Sequence, residues 1–154
     1  MKSKQIFLIL MLVIPWLTIP FLGRETVRKY IPSAILITLF TKLLDIYGEK
    51  NKWWRFYKGV YLVDSMNFLN FGAFFVSSLW ILKLTYGKFF TYLMSNMILH
   101  IVFIFFGLKY LKKLKILALV KLSKPRYLVL HFFRGILLYL FQYLKDKNRG
   151  YRGM

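Results

Sequence analysis

Thr38, Thr41, Lys42 and Asp45 recur at i, i+3, i+4 and i+7, the spacing that gathers side chains on one stripe of an α-helix. A cation and an acid inside the apolar run "ILITLFTKLLDIY" offer two chemistries. They can face a cavity and contact an ion or solute. Alternatively, Lys42 can pair with Asp45 while its aliphatic stem reaches toward an interface. Tyr92, Asn96 and His100 form a second set at i, i+4 and i+8, followed on the same side by Gly107. An imidazole can exchange a proton near neutral pH, which makes His100 a candidate for a proton relay. Asn67, Asn70, Ser77 and Ser78 occupy a third polar sector. Where the surroundings are lipid, amides cannot be satisfied from outside, so these faces are expected to turn inward and hydrogen-bond between helices. With Arg134, the intramembrane polar candidates are Lys42, Asp45, Asn70, Asn96, His100 and Arg134.

No pattern here points to an enzyme. Paired carboxylates, H-E-x-x-H and a phosphate loop are absent, and no G-x-S-x-G elbow surrounds the serines of "SMNFLN" or "FVSSL". The chain has no cysteine, which excludes disulfides and thiolate ligands. Its two histidines lie on different segments with no third metal ligand at useful spacing, so no metal and no cofactor is expected.

The segments that carry these residues are long and uncharged. Ile6 to Leu22, Phe68 to Leu82 and Phe89 to Leu108 contain no charge; Ile31 to Ile46 is interrupted by Lys42 and Asp45, and Tyr127 to Leu144 by Arg134. A run of ~20 residues at ~1.5 Å per residue spans the ~30 Å hydrocarbon core of a bilayer. Composition agrees: 58% of residues are hydrophobic and 20% aromatic. A net charge of +19 would suggest nucleic acid in a soluble protein, but nucleic-acid binders do not alternate basic clusters with such runs, so no nucleic-acid partner is expected.

The expected fold is therefore an all-α integral membrane bundle forming one domain over residues 1–154. Helices are expected at about 5–22, 31–47, 66–86, 89–115 and 125–145. The first begins like a signal peptide but lacks a small-x-small cleavage site, so it reads as an uncleaved helix kinked at Pro15. "GRETVRKYIP" reads as a loop, with Pro32 in the first turn of the second helix. "YGK" is a tight turn that makes the third and fourth helices an antiparallel hairpin.

The loop "GEKNKWWRFYKG" places Trp53 and Trp54 among Lys50, Lys52, Arg55 and Lys58, as in an interfacial aromatic belt over anionic headgroups. Lys112, Lys113 and Lys115 form a basic collar at the end of helix four. Apolar Ile116 to Val120 then reads as a membrane-embedded linker. With the N-terminus cytoplasmic, Lys and Arg concentrate inside, the outside holding Arg24, Arg28, Lys29, Lys83 and Lys88. On the last helix, Lys124, Tyr127, His131, Arg134, Gly135, Gln142 and Lys145 share one face. That helix can lie in the interface or cross as a fifth span. Crossing would carry Lys145, Lys147, Arg149 and Arg152 outside, so the charge trend favours lying flat.

The runs "FLGRETVRKYIPSAILITLFTKLLDIYGEKNKWWRFY" and "SLWILKLTYGKFFTYLMSN" resemble uncharacterised small multi-pass membrane proteins of low-GC Gram-positive bacteria. The resemblance implies residence in a bacterial inner membrane and nothing about chemistry. Without a catalytic pattern, the expected role is first an accessory or assembly protein acting through contacts with another membrane protein or a second copy. Second comes a small oligomeric transporter or channel component, and third a holin-like, membrane-perturbing protein.

Overall fold

Apolar runs of bilayer length dictate the architecture. The computed structural model describes residues 2–57 and 64–152, with Tyr151 and Arg152 as backbone only; Lys58 of the basic aromatic loop lies outside the described residues. Five helices account for nearly everything: α1 (Lys2–Leu22), α2 (Arg24–Lys50), α3 (Ser65–Thr85), α4 (Phe89–Lys113) and α5 (Lys124–Arg152). Each is long and apolar enough to cross a membrane. Two three-residue strands, β1 (Trp54–Phe56) and β2 (Leu117–Leu119), pair antiparallel with Arg55 opposite Ala118.

Prolines and glycines explain where the helices bend and meet. In α1, regular helix stops at Leu17 and resumes at Ile19. Pro15 removes one N–H, and the Thr18 hydroxyl donates to the Pro15 carbonyl at 2.6 Å. Gly72 of α3 packs against this kinked region so closely that a Cβ there would lie 2.5 Å from the Met11 carbonyl oxygen. It sits within a π-helical turn, Leu69–Phe74, whose Phe71 carbonyl accepts a 2.8 Å hydrogen bond from the Trp16 indole. A second π turn, Phe103–Gly107, interrupts α4.

Two expectations are corrected at the α1–α2 junction. "GRETVRKYIP" is helical from Arg24, because Gly23, at φ 81°, reverses the chain in a single residue. Pro32 consequently lies inside α2, not in its first turn. Gly87, at φ 94°, makes the expected tight turn between α3 and α4.

The end of the bundle near Trp54 is also built differently from the sequence expectation. Ile116 to Val120 includes β2 and is not a free linker. Its backbone is satisfied by β1 and its flanks, with Tyr57 N–H donating to the Ile116 carbonyl at 3.0 Å and Val120 N–H to the Trp53 carbonyl at 2.9 Å. Trp54 is only 2% exposed, so it is a core residue and not part of a lipid-facing belt. Gly48 leaves the space for it, since a Cβ at that position would sit 2.3 Å from the indole. Trp53 stays half-buried at the rim, its ring edge-on to Tyr47 at 5.3 Å. Lys112, Lys113 and Lys115 are exposed.

The fifth helix runs the length of the bundle and does not lie across one end. At its start Tyr127 meets Trp54, ring centroids 5.5 Å apart; near its end Asp146 pairs with Lys29 at the opposite end of α2, 3.7 Å away. Tyr127, His131, Arg134, Gly135 and Gln142 are all buried. The polar face that suggested an interfacial helix is turned into the bundle, where the other helices supply partners that water would otherwise provide.

Candidate functional site

Asp45 on α2 is the buried carboxylate of the bundle. The Asn70 amide, presented by the π turn of α3, donates to its Oδ2 at 2.8 Å. The Trp54 indole donates to the backbone carbonyl of the same residue at 3.3 Å. Lys42 does not pair with it. Thr38, Thr41 and Asp45 form the buried part of the stripe, whereas half-buried Lys42 reaches aside and places its ammonium 5.7 Å from the Phe71 ring centroid. Lys42 lies at the edge of the stripe, and its flexible stem follows the flank of α3, where an aromatic face accepts the cation.

Arg134 of α5 is the buried cation. Its guanidinium stacks over the Phe74 ring at 4.8 Å, and among the described residues no carboxylate comes within ion-pair distance of it. It borders two small spaces. One, of about 10 Å³, is shared with Asp45, Thr41, Tyr127 and His131. The other, of about 20 Å³, is shared with Asn96, His100, Ser77 and Ser78. Each has room for roughly one water-sized occupant.

The histidines, which sequence spacing left on separate segments, come together here. The His100 and His131 rings lie 4.3 Å apart, and Tyr127 sits edge-on to His131 at 4.4 Å. Among the described residues no group of three metal-ligating side chains assembles around them. Tyr92 and Asn96 complete the set, with the Tyr92 hydroxyl donating to the Gly135 carbonyl at 2.7 Å. A Cβ at Gly135 would lie in ordinary contact with the Asn96 amide, 3.6 Å away, so the two helices meet closely here.

Thus Asp45, Asn70, Asn96, His100 and Arg134 converge, while Lys42 stands aside and Trp53, Lys112, Lys113 and Lys115 stay at the rim. Ser77 and Ser78, expected to bond between helices, instead donate to the Phe74 carbonyl of their own helix at 3.1 and 2.8 Å. That carbonyl ends the π turn, and helical serines commonly return their hydroxyl to a carbonyl three or four residues back.

Sequence spacing did not single out His131, Tyr127 or Gln142 as members of a site. Their shared face on α5 was visible, but not its partners. Beyond an apolar layer containing Ile37 and Leu138, Ser33 donates to the Gln142 carbonyl oxygen at 2.5 Å. Gln142 in turn donates to Asp146 at 3.1 Å, and Lys145 donates to the Lys29 carbonyl. Tyr86, in the turn outside the spans, joins this end. Desolvation first, then the hydrogen bond and charge of Asp146, push its phenol above the usual range.

Fold and site together define a multi-pass α-helical membrane protein with an ionisable cluster at its centre. No protein-family model, no curated protein and no solved structure matches the chain.

Proposed function

We propose that this chain is a bacterial inner-membrane protein, N-terminus cytoplasmic, that acts as an accessory or assembly protein through contacts in the plane of the membrane. Support comes from the way its polar side chains are used. Those best placed to bind a solute leave beside them only two spaces of about one water each, too small for an organic solute. The lipid-facing surface, by contrast, carries a groove of about 490 Å³ between α2 and α5, lined by apolar residues including Leu36, Phe40, Leu43, Leu140 and Leu144. A transmembrane helix of a partner fits such a groove by shape and dispersion contact. The basic collar around Lys112, Lys113 and Lys115 suits the anionic cytoplasmic headgroups. The resemblance to small multi-pass proteins of low-GC Gram-positive bacteria is consistent with this location.

Photo-crosslinking from Phe40 and Leu140 in native membranes tests the proposal. One discrete protein adduct, shared by both positions and absent from lipid-facing Ile98, is the expected result. Adducts to lipid alone would overturn it.

A second reading, a small-ion channel or transporter component, draws on one observation: Asp45, Arg134, His131 and His100 meet at membrane depth, where ionisable groups are costly to maintain. Ion flux into vesicles that is abolished by Asp45→Asn, with insertion intact, would favour it over the accessory role.

A further inference from the structure

We propose that the space between Arg134, Asn96 and His100 is a binding site for one small dehydrated anion, a halide, taken up together with a proton. This goes beyond the partner-contact reading and does not depend on it.

The cavity is rich in unspent donors. Among the described residues the buried Asn96 side-chain nitrogen meets no acceptor at normal hydrogen-bond distance, and the Tyr92 hydroxyl beside it can take at most one of its two N–H groups. Arg134, whose guanidinium carries five N–H groups, lines the cavity, and among the described residues it lies over the Phe74 ring with Asp45, Tyr127 and Tyr92 farther off. The hydroxyl hydrogens of Ser77 and Ser78 are already given to the Phe74 carbonyl, so the guanidinium and the amide are the donors left over. No acidic residue lines this cavity. Donors converging on a space with no carboxylate select an anion over a cation. A volume of about 20 Å³ admits one water-sized occupant, which suits fluoride or chloride and excludes phosphate, sulfate and organic acids. Ile37 and Leu138 close one side, so an ion that enters exchanges its water shell for fixed donors.

Charge balance supplies the proton. Asp45 and Arg134 flank the neighbouring space and offset each other at a distance, so a halide alone would leave one uncompensated buried negative charge. The titratable and charged groups facing this centre are Tyr127 and His131 on the same helix as Arg134, Asp45 from α2, and Tyr92 and His100 from α4. From α3 come only Asn70, Phe74, Ser77 and Ser78. Among the described residues the buried His131 Nδ1 has no hydrogen-bond partner, and the ring lies tilted against His100 beside the cavity, 4.3 Å between centroids. A proton on this pair or on Asp45 restores neutrality.

The test is thermal unfolding of the full chain in detergent, with chloride or fluoride replacing gluconate at constant ionic strength. Binding to the folded state should raise the midpoint saturably with halide, and neither gluconate nor sulfate should reproduce the effect. Proton coupling should weaken half-saturation as pH rises, by up to about tenfold per pH unit. Asn96→Asp places a carboxylate where the anion would sit. It should stay folded and lose the halide response, and Arg134→Gln should weaken half-saturation by at least about tenfold. A midpoint indifferent to halide, a non-saturating rise shared with sulfate, or a full response in Asn96→Asp would overturn the site. Half-saturation independent of pH would overturn the proton.

Discussion

Asn70 and Asp45 are joined across α3 and α2 by a 2.8 Å hydrogen bond at the centre of the bundle, each carried by a helix that the other must locate. The bond ties the π turn of α3 to the buried carboxylate that faces Arg134 across a small space. Asp45→Leu should cost about 3–5 kcal/mol, because it removes both the negative charge that faces the buried guanidinium and the acceptor of the Asn70 amide. Asp45→Asn keeps shape and polarity and should cost about 1–3 kcal/mol. Unfolding midpoints in detergent give the order; because both variants remove the charge, equal losses would mean that a polar acceptor for Asn70 adds nothing beyond it.

Gly72 predicts a sharper effect. A methyl group at this position meets the α1 backbone, Met11 and Leu12, and backbone cannot rotate aside. Gly72→Ala should destabilise by about 1–3 kcal/mol and loosen α1 from α3. Size-exclusion recovery of folded protein should fall, and protease should reach α1 before the rest. Gly107→Ala meets only the Phe103 ring, a side chain, and should be the milder change.

The course of α5 predicts topology. Ser123 precedes this helix and Asn148 lies near its far end, close to Asp146, which reaches Lys29. Since the native chain has no cysteine, Ser123→Cys and Asn148→Cys can be labelled without background. An impermeant reagent should label them from opposite sides of the membrane. Labelling from the same side would mean that the helix lies flat.

Tyr86 sets an alkaline limit. Its phenol is raised from a usual value of 10.0 by burial and by Asp146, so the folded state holds that proton more tightly than the unfolded chain. The sign follows: its contribution is fully present below about pH 10 and is lost as pH rises toward the folded value. Stability should decline through this window, and Tyr86→Phe should flatten part of the decline. An unchanged pH profile in Tyr86→Phe would place the alkaline loss elsewhere.

The sequence by itself determined the membrane class, the five apolar segments and the inward turn of Tyr92, Asn96 and His100. Length, hydrophobicity and helical spacing are local properties, and lipid leaves polar side chains little choice but the interior. It also marked the polar face of α5 through Tyr127, His131, Arg134 and Gln142. Whether that face met water or protein was not local, because it depends on which helices stand opposite, and only the tertiary structure brought α2 and α4 against it. The same reason separates Lys42 from Asp45. Spacing permitted a pair, but Asn70, 25 residues away in the chain, took the carboxylate. Trp54 likewise looked like an interfacial residue until the pairing of β1 with β2 and the bare backbone at Gly48 made room for it in the core. The contact between His100 and His131 rests on the packing of two helices, and no spacing within either one could encode it.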